Sequence, residues 1–503
     1  MSQKENSPTG RELQIINERK KKIKELKDNK INPYKHKFDK KNSISDCLNS
    51  KLNTKVQTAG RIITKRDLGK ISFYKLQDQV GEIQLVLQKD KTSEEIMKFA
   101  KRYADSGDFI GVSGNIFKTK TGEKSILVDK IEILTKAVLP LPEKYHGLQD
   151  EEERLRKRYL DMLINPQVRE TFEIRSKLMK SMREFMEKNN FIEIETPLLQ
   201  GVYGGAAAEP FKTYCNAFNS ELYLSIAPEL YLKKALVGGF DRVYEVTKKF
   251  RNEGVDRQHN PEHMTIEWYQ GYADYKDGMN LVKDFICYIS KQVFGKTIIE
   301  YQGNKIDLSK WQTLSLEDAI KKYLNEDISK IKTNKEAREI AKKHNIDEKG
   351  ITKTNIADEL MKLFREKLIQ PTFLIDYPIG LAPLAKAKPE DQTKAEIFQP
   401  FIGGMELARA YSELSDPQIQ EEHFKEQEKE REEGNKEAMP TDSDFVTALE
   451  HGLPPACGVG FGIERLIMLF TNKTSIREAI SFPFVKPETQ EENKKDKNKI
   501  NKK

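Results

Sequence analysis

At 503 residues the chain is long enough for two or three domains with substantial cores. Charged residues make up 33% and hydrophobic residues 37%, and no apolar run nears the roughly 20 residues of a membrane helix, which excludes an integral helical membrane protein. The net charge of +7 permits a polyanionic partner without demanding one, and four scattered cysteines (Cys47, Cys215, Cys287, Cys457) with no Cys-x-x-Cys pair argue against a zinc or disulfide framework.

The opening Met1-Ser2-Gln3-Lys4-Glu5-Asn6 lacks the apolar core of a signal peptide, so a cytoplasmic protein is expected. Within 11–30, Leu13, Ile16, Ile23 and Leu26 recur among lysines and arginines, which predicts an amphipathic helix with a basic face ending near Asn32-Pro33-Tyr34. That face is either simply solvated or a set of nucleic-acid backbone contacts. Residues 54–135 then alternate as short strands, at 56–62, 72–77, 82–87, 109–117 and 125–134, with a helix at 93–104. This order predicts a small Greek-key barrel of the OB type. Such barrels stack bases on aromatics and read base edges with polar side chains. Phe73 and Gln84 suit those two tasks, although periodicity alone reads Phe73 as core.

An extended linker follows around Leu139-Pro140-Leu141-Pro142, then a charged helix at 151–163 and a long helix at 165–189. A strand at 191–197 stops at Pro197. Gly204-Gly205-Ala206-Ala207-Ala208 forms a small-residue loop where a backbone can approach a ligand closely. Ala227-Pro228-Glu229-Leu230 opens a helix, with Glu229 favourably placed at its positive end. Phe250-Arg251-Asn252-Glu253-Gly254 leads through His259-Asn260-Pro261-Glu262 into a strand at 264–269 that carries Glu267 and Tyr269. This is a strand–loop–strand unit with an arginine at its mouth. It is either a phosphate clamp or a plain surface hairpin. Residues 296–370 read as a largely helical, lysine-rich insertion, 398–414 as strands with Glu406 and Glu413, and 416–437 as helix. Finally a glycine-rich strand through Gly458, Gly460 and Gly462 opens into an apolar helix with Arg465 in its first turn, and the sequence after Pro487 reads as a disordered, lysine-rich tail.

Three pieces stand in a fixed order: the strand ending at Pro197, the Arg251-Asn252-Glu253 loop, and the glycine-rich strand and helix with Arg465. In wording and order they resemble motifs one, two and three of the class II aminoacyl-tRNA synthetases. Strings such as Leu141-Pro142-Glu143-Lys144-Tyr145-His146-Gly147-Leu148, Ala227-Pro228-Glu229-Leu230-Tyr231-Leu232-Lys233 and Tyr411-Ser412-Glu413-Leu414 resemble the lysine-specific branch. The resemblance implies an α+β chain. Residues 1–50 would be a basic helical extension, 51–140 a five-stranded OB-type anticodon-binding barrel, and 141–164 a linker. Residues 165–487 would be a catalytic domain on a mixed, mainly antiparallel sheet flanked by helices, interrupted by the insertion 296–370, with the tail at 488–503.

The same resemblance implies a homodimer with the first motif, around Pro197, at its interface. It implies two steps: lysine and ATP give lysyl-adenylate and pyrophosphate, and the lysyl group passes to the 3′-terminal adenosine of tRNA(Lys). Lysine carries two ammonium groups, so carboxylates are expected around it. By resemblance, Gly205 and Glu229 serve the α-amino group, and Glu267, Tyr269 and Glu413, with Arg409 and Tyr411 beside them, serve the side-chain end. Arg251 bridges the substrate carboxylate and the α-phosphate, and Arg251, Arg465 and Glu406 are the catalytic set. Asn252, Glu253, His259, Asn260, His263, Glu406, Gly462 and Arg465 hold ATP. Glu406 is the expected Mg2+ ligand, with Gln399 and Glu413 as weaker contributors. Phe73 and Gln84 read the anticodon.

The sequence departs from the family pattern at Gln399 in place of a glutamate, His263 in place of a phenylalanine stacked on adenine, and Arg409 in place of an asparagine at the substrate. Two other readings stand beside the ligase: a paralogue that lysylates a protein, and an inactive binding paralogue. The barrel speaks against the first, and retention of Arg251, Glu406, Glu413 and Arg465 against the second.

Overall fold

The computed structural model describes residues 10–142, 148, 150–432 and 435–487. The chain divides into two compact units, one holding residues up to 148 and the other residues 149–486. The tail expected at 488–503 and most of the linker before residue 150 lie outside the described residues.

In the first unit, helix α1 (Gly10–Asp28) precedes strands β1 (Lys55–Leu68), β2 (Ile71–Gln77) and β3 (Glu82–Gln88), helix α2 (Glu94–Tyr103), and strands β4 (Phe109–Lys118) and β5 (Lys124–Thr135). The five strands close into a barrel in the order β1-β2-β3-β5-β4, parallel only between β3 and β5. Alternation drives it: in β2, Ser72, Tyr74 and Leu76 are buried while Ile71, Phe73 and Lys75 face outward. Inward residues such as Ile62, Leu76, Leu85, Ile110 and Ile126 form the core.

Charge fastens α1 to the barrel. Arg19 is buried and donates to the carbonyls of Ala137 (3.1 Å), Leu139 (2.7 Å) and Ser106 (2.7 Å). Lys22 pairs with Asp105 at 2.7 Å. Two members of the basic face are therefore docking groups, whereas Leu13, expected on the apolar face, is exposed. Below them, Lys136 reaches Asp105 (2.6 Å) and Asp108 (2.5 Å), with the lysine and Asp108 side chains fully buried.

The second unit is a nine-stranded sheet with helices on it. In chain order the parts that matter here are α3 (Pro166–Lys188), β6 (Ile192–Glu193), α4 (Glu229–Val237), β7 (Arg242–Phe250), β8 (Glu262–Gly271), α5 (Tyr275–Phe294), β9 (Gln312–Ser315), β10 (Thr372–Ile375), β11 (Ile397–Ile402), β12 (Ala408–Ser412), β13 (Ala456–Gly462) and α6 (Ile463–Thr471). The strand order is β9-β10-β11-β12-β13-β8-β7-β6, and Met405–Glu406 pairs with β11. Only β6/β7 and β9/β10 are parallel. Helices α3 and α5 cover one face through Leu178, Met182, Phe185, Phe285 and Ile286, which meet Trp268 and Phe461 from the sheet. Trp268 and Phe285 lie 5.2 Å apart by ring centroid, and Phe285 and Phe461 lie 5.5 Å apart.

One expectation is corrected. The strand at 191–197 is only two residues long, because it pairs with β7 at Ile192 and Glu193 alone. Beside their helices, residues 296–370 include a two-stranded hairpin, Ile298–Tyr301 with Asn304–Asp307, and supply β9 to the main sheet. No helix among the described residues is long and apolar enough to cross a membrane.

Replacing Lys136 with methionine strands Asp108, whose pKa burial already raises against the pull of that lysine. Losing one partner of a buried ion pair costs about 3–5 kcal/mol. Hydrogen exchange across β4 and β5 should accelerate accordingly in the K136M chain, and unchanged protection there would refute this role.

Candidate active site

The site grows from a missing set of side chains. Along β13, Cys457, Val459 and Phe461 are buried in the core. Alternation puts Gly458, Gly460 and Gly462 on the opposite face. A Cβ at Gly458 would overlap the Glu413 carboxylate and the Tyr269 ring, and one at Gly460 would meet the Glu267 carboxyl carbon at 3.5 Å. The register forms rows across three strands: Glu267, Gly460 and Arg409, then Tyr269, Gly458 and Tyr411. The flanking strands thus lean acids and rings over a bare central floor.

A cavity of about 450 Å³ opens above this floor. Gly205, Glu229, Glu267, Tyr269, Arg409 and Tyr411 line it, as expected for the amino acid. Gly205 has φ +85°, and a Cβ there would fall 2.7 Å from that of Glu229, so the loop needs glycine at this point. Glu229 is buried at the start of α4, and Tyr411 donates its hydroxyl to Glu229 Oε1 at 2.5 Å. Glu267 accepts from Thr265 Oγ1 at 3.3 Å. Burial raises the pKa of Glu267 above the usual carboxylate range, and the nearby Lys249 opposes that rise. Arg409 donates to the Leu381 carbonyl at 2.5 Å, which ties β12 to the loop forming the facing wall.

Arg251, Glu253, His259, Asn260, His263, Glu406, Gly462 and Arg465 also line the cavity. Backbone bonds shape the loop: Arg251 N donates to Pro261 O at 2.9 Å and closes its neck. Asp256 caps the tip, accepting from the backbone N–H of Gln258 (2.6 Å) and His259 (2.8 Å). Asp256 also sits 2.8 Å from His259 Nδ1, which fixes a tautomer whose Nε2 faces Arg465 at 3.3 Å. Arg465 donates from its other terminal nitrogen to Glu406 O at 2.8 Å. Glu464, one residue earlier, bolts α6 to the sheet by accepting from Met264 N and Arg175, both at 2.9 Å.

Three expected residues do not line the cavity. Asn252 is exposed, and its backbone N–H is held by Glu209 O at 2.7 Å. Gln399 is buried; its oxygen accepts the Tyr377 hydroxyl, and its amide donates to Glu406 Oε1 at 3.3 Å. Glu413 is buried behind the wall, 2.5 Å from Lys233 Nζ. The metal expectation therefore narrows. Among the described residues no group of three or more His, Cys, Asp and Glu is placed to hold a metal. Glu406 alone offers a cavity-facing carboxylate from the expected metal set, while the Gln399 oxygen is taken by Tyr377 and Glu413 lies off the cavity beside Lys233. One carboxylate completed by substrate phosphates is an ordinary Mg2+ set, so the donors fit that ion through Glu406.

Lys233, Lys249 and Tyr377 were not singled out from sequence, although all three are buried against the site's acids or amide. Lys249 Nζ is 3.1 Å from Ser225 Oγ and 3.9 Å from Glu245 Oε2.

On the barrel, Phe73 is half-buried on the outer face, which settles the core alternative against it. It faces Val86 across β3, with Lys75 facing Gln84, so Phe73 and Gln84 share one side on the diagonal. Gln84 Nε2 donates to Ser125 Oγ at 3.0 Å.

The family model for class II tRNA synthetases (D, K and N) matches residues 150–486, and that for the OB-fold nucleic acid binding domain matches residues 56–134. The chain is 44% identical over 489 residues to a lysine–tRNA ligase of Thermosipho africanus, covering 95% of this chain and 96% of that one. It is 45% identical to one from Clostridium botulinum strain Langeland (94% and 96%) and 43% identical to one from Pelotomaculum thermopropionicum (94% and 95%).

Burial, with a smaller contribution from Arg251, lowers the pKa of His263 to about 3. The unfolded imidazole takes its proton near ~6.5. Between these values the unfolded chain binds more protons, so stability falls as pH falls through this window. The H263F variant should lose part of that slope in urea titrations between about pH 4 and 6; an identical slope would mean that the ring is solvated.

Proposed function

This chain belongs to the class II tRNA synthetases and acts as a lysine–tRNA ligase, and on that premise we propose how its residues divide the work. The observation that carries the assignment is the gathering of two buried carboxylates, Glu229 and Glu267, with Tyr269 and Tyr411 at one end of the cavity, and of a third, Glu413, buried just behind them. A pocket for an acidic amino acid would need cations there. Two ammonium groups need acids instead.

Lysine enters with its α-ammonium against Glu229 and the backbone of Gly205. Its ε-ammonium lies against Glu267 and Tyr269, with Glu413 behind them. Arg251 takes the carboxylate, and one carboxylate oxygen attacks the α-phosphorus of ATP. The new acyl–phosphate bond forms as the bond to the β-phosphate oxygen breaks, giving lysyl-adenylate and pyrophosphate. Arg251 neutralises charge growing on the α-phosphate, and Arg465 holds the outgoing phosphates. Glu253, His259, Asn260 and Gly462 position the nucleotide, with the neutral His263 ring against the adenine. Mg2+ held by Glu406 would supply charge neutralisation on the phosphate oxygens. In the second step the 3′-hydroxyl of the terminal adenosine of tRNA(Lys) attacks the acyl carbon and releases AMP. No protein nucleophile is needed; orientation and charge supply the acceleration.

Phe73 stacks on an anticodon base and Gln84 hydrogen-bonds a base edge. We further assign a homodimer, supported by Ile192, Leu198, Leu199 and Val202, which are exposed on both sides of Pro197, and a cytoplasmic location.

Lysine-dependent ATP–pyrophosphate exchange followed by charging of tRNA tests the whole reading. Exchange without charging would favour a protein-lysylating paralogue, and no exchange an inactive one. The E267Q variant should lose lysine affinity by about 30-fold or more, as for one partner of a buried charge pair, with ATP affinity nearly kept; equal losses would remove Glu267 from the side-chain end. For F73A, the tRNA KM should rise about 5- to 100-fold, the worth of one stacked base, with exchange intact; collapse of exchange would mean that Phe73 supports the fold.

A further inference from the structure

A lysine of the protein itself stands behind the pocket assigned to the substrate lysine, paired with the lining acid Glu229. Lys233 lies on α4, one turn after Glu229, and its side chain is fully buried. Its Nζ stands 2.7 Å from Glu229 Oε1 and 2.5 Å from Glu413 Oε2. The Tyr411 and Phe445 rings lie 5.5 and 5.7 Å from that nitrogen by centroid. Burial works against its charge, but the two carboxylates outweigh burial and hold its pKa above that of an ordinary lysine.

We propose that Lys233 is a positioning residue: it bridges Glu229 and Glu413 in one buried site, favours the ionised form of each, and so sets the charge and orientation that the pair offers to one ammonium group of the substrate. The proposal rests on the lysine-binding reading above. Two carboxylates confined together without a cation do not both stay charged; one takes a proton. Lys233 opposes that protonation at Glu413, whose pKa burial still raises to about 8. Glu267, on the neighbouring strand, supplies a second negative charge for the other ammonium. Of the cations nearby, Lys249 lies 3.9 Å from Glu245 and, with Arg251, also pulls on Glu267, while Arg409 is turned to the Leu381 carbonyl. Lys233 also fixes where the charge sits. It engages one oxygen of each acid, and the Tyr411 hydroxyl shares the Glu229 oxygen, so the Glu229 carboxylate is held from two sides.

The test uses the full chain in ATP–pyrophosphate exchange with K233M, K233R and E413Q variants. In K233M the lysine KM should rise at least about tenfold, the scale of a broken buried charge contact, while the ATP KM changes less than about twofold. K233R should restore most of the loss, because it returns a cation. In an E413Q background, K233M should add little, since only one carboxylate then remains to be held ionised. K233Q provides a second uncharged variant if K233M does not fold. Lysine and ATP KM rising together, or K233R failing while K233M and K233R both melt like the parent, would overturn the proposal and reduce Lys233 to packing. A parent chain with exchange and a K233M variant with unchanged lysine KM would overturn it alone. A parent chain without lysine-dependent exchange would overturn the underlying reading and this inference with it.

Discussion

Everything at the centre of the catalytic unit follows from the bare pocket side of β13. An antiparallel strand must present alternate residues to opposite faces. Here one face spends its positions on Cys457, Val459 and Phe461, packed beneath α5, and the other, after Ala456, has only Gly458, Gly460 and Gly462. The floor is therefore deep enough for a substrate, and long side chains from β8 and β12 meet across it. A methyl group at Gly458 would drive into both Glu413 and Tyr269. The acids, the rings and the cavity are consequences of that one stripe.

Buried polar groups around this floor are linked rather than isolated. Tyr377 holds Gln399, Gln399 holds Glu406, and Glu406 offers its backbone carbonyl to Arg465, which in turn faces His259 on the arginine loop. On the other side, Tyr411 and Lys233 hold Glu229. Preorganisation of this kind lets fixed dipoles and charges act without rearranging at the moment of reaction.

Much of this was legible from sequence where the rule involved was local. The barrel strands follow period-two alternation and were found with small errors at their ends, as at β1, which runs on to Leu68 past the bulge after Ile62. The helix starting at Glu229, the loop behind Arg251 and the glycine strand before Arg465 also obey local rules, and resemblance then supplied their roles. What escaped depends on distant partners. Lys233 in a helix reads as solvated until Glu413, far along the chain, folds over it. Gln399 reads as a free amide until Tyr377 claims its oxygen. The strand β9 hides among lysines because it is a four-residue edge strand with only half-buried and exposed residues.

The order of strands also bears on how this unit comes into being. β13 lies between β8 and β12, and both precede it in the chain. Until it arrives, the sheet exists at best as two separate halves, each ending in an unpaired edge able to bind the wrong strand. A chain emerging from the ribosome can complete the barrel early, because its core draws only on residues before 148. The catalytic sheet has no such option: its middle is inserted after both of its flanks. Assembly and activity are thus gated by the same late segment, and a truncated product that stops short of β13 would be left with sticky edges and no pocket floor.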